Sequence, residues 1–145
     1  MRAEMAVLAQ SVRDRPDGLM DVMVVGITEL WSETFPATGR FAVALRLVLD
    51  GDESSRWHEL SVALTLAGAR LSSLPPPLPI KAIHVEPGQN TAFNCMLYLD
   101  VGLPHEGELL IELIVDDEVR MPHLRLDVRR GKPPAVNLGD AWTPV

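Results

Sequence analysis

From Arg40 to Asp50 the chain alternates at every residue, with Phe41, Val43, Leu45, Leu47 and Leu49 separated by Ala42, Ala44, Arg46, Val48 and Asp50. Side chains of a strand point to opposite faces in turn, so the first set shares one sheet face. Burying those five side chains is worth on the order of 10 kcal/mol before entropy is subtracted, against about 1 kcal/mol of intrinsic propensity per site. Pattern therefore decides for a strand. The alternation recurs in Trp57–Leu66, where Leu60, Val62, Leu64 and Leu66 oppose Glu59, Ser61 and Thr65. It recurs again in Thr91–Val101, where Phe93, Cys95, Leu97, Leu99 and Val101 oppose Asn94, Tyr98 and Asp100. Both read as half-buried strands.

Glu4–Val12 and Leu19–Trp31 flank Asp14-Arg15-Pro16-Asp17-Gly18, a short hairpin loop in which Pro16 presets a turn dihedral and Gly18 accepts positive φ. Gly26 marks a bulge or a close backbone approach within the second strand. A second hairpin joins Glu108–Val115 to Val119–Arg129 through Asp116-Asp117-Glu118. Pro122 lacks an amide donor, which places the last strand at a sheet edge or gives it a bulge near its start. Leu78–Val85 supplies a further strand candidate. A helix competes only over Met1–Val12, and the apolar positions there form no 3.6-residue stripe. Ser72–Pro79, with Pro75-Pro76-Pro77, predicts an extended crossing between sheets. The tail from Gly131 carries Pro133, Pro134 and Pro144 without alternation and is expected to be mobile or laid along the surface. The expected fold is an all-β, two-sheet antiparallel β-sandwich of about eight strands, immunoglobulin-like or C2-like. It forms a single domain over residues 1–130, with a Pro-rich tail over 131–145.

Composition narrows the function. The 145 residues are 47% hydrophobic and 23% charged, ordinary for a globular chain with one core. Thirteen Lys and Arg against 20 Asp and Glu leave a formal charge of −7. Binding to nucleic acid or to an anionic membrane needs a dense basic face, and the sequence supplies none. Cys95 is the only cysteine, so an internal disulfide and a cysteine metal knuckle are excluded. Glu4, Gln10 and Arg13 interrupt any signal-peptide core, and no apolar stretch approaches the ~20 residues of a membrane span. The expected compartment is the cytoplasm.

Candidate chemistry is sparse. Neither G-x-G-x-x-G nor a P-loop occurs. His58-Glu59 and His105-Glu106 begin zincin-like motifs, but Val62 and Leu109 stand where the second histidine belongs. His58 and His84 fall in strand candidates, His105 in a loop and His123 after Pro122; they read as scattered surface or partly buried histidines. Cys95 shares a face with Phe93 and Leu97, which predicts a buried, neutral thiol. No serine sits in G-x-S-x-G. Leu74–Pro79 resembles a ligand of proline-binding modules, against the simpler reading of a stiff connector. Trp31 and Trp57 are expected to pack at the core or sheet ends, and Trp142 to dock the tail onto its own sheet or a neighbouring chain. If successive strands run up and down, four loops emerge at one end and gather Asp14, Asp17, Asp50, Asp52, Glu53, Glu86, Asp116, Asp117 and Glu118. Arg13, Arg15, Arg56 and Arg120 offset them in part. Such an end could bind calcium or attract a basic partner, or simply be solvated.

Glu4–Ala9, the turn through Asp17-Gly18-Leu19, Gly26–Trp31, Phe35-Pro36 and Ala44–Leu47 resemble a family of small, uncharacterised bacterial β-sandwich proteins. The likeness continues more loosely through Gly107-Glu108 and the final hairpin. It implies the fold and the cytoplasm and carries no activity, catalytic residue, metal or cofactor. The resulting expectation is a non-enzymatic protein-binding or scaffold module. Its partner, an unknown protein or a second copy, would engage a sheet edge, the acidic loop end or the tail. A calcium-dependent C2-like module and an enzyme with a non-standard site are the alternatives. Of the enzyme, a pocket uniting His84, His105 or His123 with a carboxylate and a hydroxyl would be the mark.

Overall fold

The computed structural model describes residues 1–17, 19–25, 27–54, 56–71, 76–80, 91–119 and 123–133. The fold is all-β. In chain order the strands are β1 (Arg2–Asp14), β2 (Met20–Val25), β3 (Glu29–Ser32), β4 (Ala37–Leu49), β5 (His58–Leu66) and β6 (Ala69–Arg70). They continue with β7 (Leu78–Ile80), β8 (Thr91–Leu103), β9 (Gly107–Val115), β10 (Glu118–Val119) and β11 (Leu124–Arg130). A single helical turn, α1 (Gly51–Ser54), links β4 to β5.

Two sheets form. The first has four strands in the order β2-β1-β4-β8, all antiparallel. The second runs β3-β11-β9-β5, with β6 and β7 on the same flank of β5 at its two ends and β10 beside β9. The predicted alternation directly explains the core. Phe41, Val43, Leu45 and Leu47 of the first sheet meet Leu60, Leu64, Leu109, Ile111, Leu113 and Leu126 of the second in one cluster. Residues 1–12 follow the strand reading, because Ala3, Ala6 and Leu8 find Leu47, Leu45 and Val43 as ladder partners on the core face.

Several expectations change. The predicted strand Leu19–Trp31 is two strands: β2 pairs with β1, whereas β3 lies in the other sheet, parallel to β11. Chain direction and sheet both switch between Val25 and Glu29; Gly26 itself lies outside the described residues. Among the described residues the sandwich is therefore antiparallel except for that one pair. The last strand is not at an edge, since β11 has β3 on one side and β9 on the other. Its interruption follows the bulge alternative. Between Val119 opposite Ile114 and Leu124 opposite Ile111, the last strand advances five residues while β9 retreats three, so two residues are extra. Pro122 falls within the undescribed part of that interruption. The Pro-rich connector joins β6 to β7, both paired with β5, so it links strands of one sheet. The crossing to the first sheet comes after Ile80. Of the candidate strand Leu78–Val85, Leu78–Ile80 is β7 and the rest lies outside the described residues, as does the tail from Pro134.

β4 is buried on both faces. Ala42 and Ala44 point away from the main core yet are fully enclosed, together with Ala9 and Val12. β1 stays with β4 only as far as Ala9 opposite Ala42. Beyond it, the β1–β2 hairpin curls over the outer face, where Met20 and Val22 join Met5, Val7 and Met96 around the alanines. The Tyr98 hydroxyl bridges the curl, accepting from the Val12 N–H at 3.3 Å and donating to the Val12 carbonyl. Small side chains at 42 and 44 permit this close second layer.

Candidate interaction surface

The acidic end is assembled only in part. Asp116 and Asp117 form the two-residue β9–β10 turn, both at positive φ (50° and 64°), a conformation that aspartate tolerates better than most residues. One oxygen of Asp116 accepts the Glu59 N–H at 2.9 Å and the other faces His58 Nδ1 at 2.7 Å. His58 Nε2 lies 2.6 Å from the Glu53 carbonyl. The Glu53 carboxylate takes the Met1 amino group and the Asp50 N–H, the latter at 3.2 Å. The Glu59 N–H and then His58 hold the Asp116 carboxyl below its ordinary value; the Met1 amino group does so first for Glu53. These acids tie loops 50–57 and 116–117 together around one buried histidine.

Asp17 is elsewhere. It pairs with Arg15 at 2.8 Å in the curled hairpin, and Arg15 also reaches Asp21 at 3.4 Å. Asp17 departs from the expected gathering because splitting Leu19–Trp31 into β2 and β3 adds one chain reversal: Asp14 ends β1 beyond Ala9 opposite Ala42, whereas Asp50 follows the end of β4 that lies opposite Arg2. Glu86 and Arg120 lie outside the described residues. No group of three or more metal-ligating side chains occurs among the described residues.

The remaining candidates scatter. Cys95 is buried, as its strand phase predicts. His105 is exposed in its loop, with Nδ1 2.7 Å from the Glu106 carbonyl. His123 sits 3.5 Å from Glu112 at the surface. His123 thus has a carboxylate neighbour, and the shorter histidine–carboxylate contact is that of His58 with Asp116, which the sequence did not single out. Trp31 packs at a sheet end, donating to Glu29 at 3.1 Å beneath the Arg129 guanidinium. Trp57, by contrast, is 65% exposed, against expectation. Even-numbered residues of β5 face the core, so His58 takes the inward position and Trp57 must point out. His84, Leu74, Pro75 and Trp142 lie outside the described residues.

The feature that stands out is an edge. β8 pairs with β4 along all 13 of its residues, from Thr91 opposite Leu49 to Leu103 opposite Ala37, without a register shift. No strand among the described residues pairs with its other flank. At ~3.3 Å per residue it presents a ladder about 43 Å long. Natural edges are usually guarded by brevity, proline, lysine or bulges. The other three obey that rule. β3 has four residues, with Arg129 stacked on its Trp31; β6 and β7 have two and three, carrying Arg70 and Pro79; β2 has six and a curled neighbour. β8 contains no proline, lysine or arginine, and its one charge, Asp100, is held by Arg40 at 2.7 Å. Its outer face carries Ala92, Asn94, Met96, Tyr98, Asp100 and Gly102, and Tyr98 is 59% exposed.

A model of DUF6941, a family of unknown function, matches residues 4–129. The chain belongs to DUF6941. No curated protein and no solved structure matches it. The family span covers both sheets and stops within β11, so β8 is part of the DUF6941 domain itself. On the outer face of the first sheet, Met5, Leu19, Met20, Val22, Arg46 and Asn94 line an open, mostly apolar groove of about 370 Å³. No helix among the described residues is long and apolar enough to cross a membrane. The sequence marked β8 as a strand but not as an edge, because order within a sheet depends on pairings between distant segments. The available signal was a long alternating strand without lysine or proline.

Proposed function

We propose that this protein is a non-enzymatic binding module of the bacterial cytoplasm, which takes up a protein segment as an added strand along β8. One observation carries the reading: the 13-residue ladder of β8 is matched to β4 and has no partner strand on its other side among the described residues. Strand addition draws affinity from main-chain hydrogen bonds and specificity from side chains alternating across the new pair. Leu97, half-buried on the core side, and the exposed Tyr98 on the outer side supply that alternation at the strand's centre. A single cysteine, which leaves no disulfide within the chain, suits a reducing compartment, and the bacterial assignment follows the sequence resemblance.

The test compares the full chain with an Ala92→Lys/Gly102→Lys variant as baits in lysate of the source cell. Both positions are exposed, and a side chain built at Gly102 meets nothing within 4 Å. Lysines there supply the missing edge guard. The wild-type bait should retain a protein that the variant loses, and hydrogen exchange should slow across 91–103 in the retained complex. Identical retention by both baits, or protection confined to other strands, refutes strand addition.

A further inference from the structure

Resting on the strand-addition reading, we infer that the segment taken up by β8 is β8 of a second copy, joined antiparallel about a two-fold axis at Leu97. The two four-stranded sheets then become one continuous sheet. A two-fold contact must be self-complementary, since each residue i meets a fixed partner j on the other copy. Residues directly opposite across an antiparallel pair share a face, so i and j must have the same parity. Centring on Leu97, the midpoint of Thr91–Leu103, satisfies this and pairs all 13 residues.

The outer-face chemistry fits that register. Within one chain Arg46 sits opposite Asn94 and Arg40 opposite Asp100. Arg46 donates to Glu4 and to the Asn94 oxygen, each at 3.1 Å, and Arg40 donates to Asp100 at 2.7 Å. Across the two-fold, Asn94 meets Asp100 of the second copy. Each such row reads Glu4, Arg46, Asn94, then Asp100 and Arg40 of the other copy, with no like charges adjacent. Met96 meets Tyr98, a thioether against an aromatic ring, which accounts for the exposed Tyr98. Asp100 is the sole charge on β8, and the two-fold keeps it away from its own image. A long edge with no partner strand among the described residues invites uncontrolled pairing, and closing it on itself removes the hazard.

Ala92 lies opposite Gly102 of the second copy in this register, which gives a test that leaves the protomer's packing alone. Sedimentation equilibrium of the full chain over a concentration series should show a monomer–dimer equilibrium. Ala92→Lys/Gly102→Lys sets lysine opposite lysine twice and should weaken the dimer by about 2- to 30-fold. Ala92→Lys/Gly102→Glu sets opposite charges and should restore or tighten it. The first variant also lowers the chain's net negative charge, so general self-repulsion predicts the reverse order. A monomer at every concentration overturns the inference, as does a dimer indifferent to both variants. Strand addition itself would survive a monomeric result if lysate retention still depended on positions 92 and 102, and would fall with it if not.

Discussion

His58 is the one polar side chain buried among the described residues, and both ring nitrogens face oxygens held by neighbouring loops. Its carboxylate partner sets a pH dependence. The Asp116 carboxyl is lowered in the folded chain by the Glu59 N–H and His58. A lowered carboxyl stabilises the fold fully above its unfolded value, near 4, and that stabilisation disappears as pH falls through the folded value. Asp116→Asn should therefore melt below wild type at neutral pH, and the gap should close as thermal melts are taken to increasingly acid buffers. At the other end of β9, Gly107 has φ 148°, and a Cβ there would lie 2.9 Å from that of Ala67. Both strain and clash oppose a side chain, so Gly107→Ala should cost about 1–3 kcal/mol in urea unfolding.

At the scale of elements, β4 is sandwiched between the main core and the curled hairpin. Ala42 has no exposed surface, lying between Ala9 and Tyr98 in adjacent strands. Ala42→Leu should destabilise by about 1–3 kcal/mol through overpacking, measured by urea unfolding, although its neighbours at 41 and 43 are as apolar as leucine. The strand and its inward face were legible in the sequence, because Phe41 to Leu49 alternate without interruption. The second buried face was not. Ala42 and Ala44 look merely small in sequence, and only the departure of β1 from β4 after Ala9 creates their cover. The same limit applies to the candidate site: Tyr98 was legible as outward-facing, while the open flank of β8 depends on which strands lie beside which. The division of Leu19–Trp31 was missed because its apolar run continues through the change of sheet.

For the whole molecule, several described acids of the loop ends are engaged in internal ties. Asp116 and Glu53 are spent on N–H groups, a histidine and an amino group, while Asp17 is held by Arg15. A ligand that binds only the folded state must raise the melting temperature. Millimolar calcium should leave it unchanged in scanning calorimetry; a rise of several degrees would establish a cation site. Overall charge matters at this scale too. At −7, copies repel one another at low ionic strength, so any association must come from local fit and not from the general field.

The parallel pairing of Glu29–Ser32 with Asp127–Arg130 joins segments from opposite ends of the described chain. On a ribosome the early segment emerges long before its neighbour exists. Until the final hairpin is released, Glu29–Ser32 lacks its ladder partner and β9 lacks the strand on one flank. The second sheet is thus completed only after Leu124–Arg130 has been released, and a product halted before Leu124 lacks the strand that joins Glu29–Ser32 to β9.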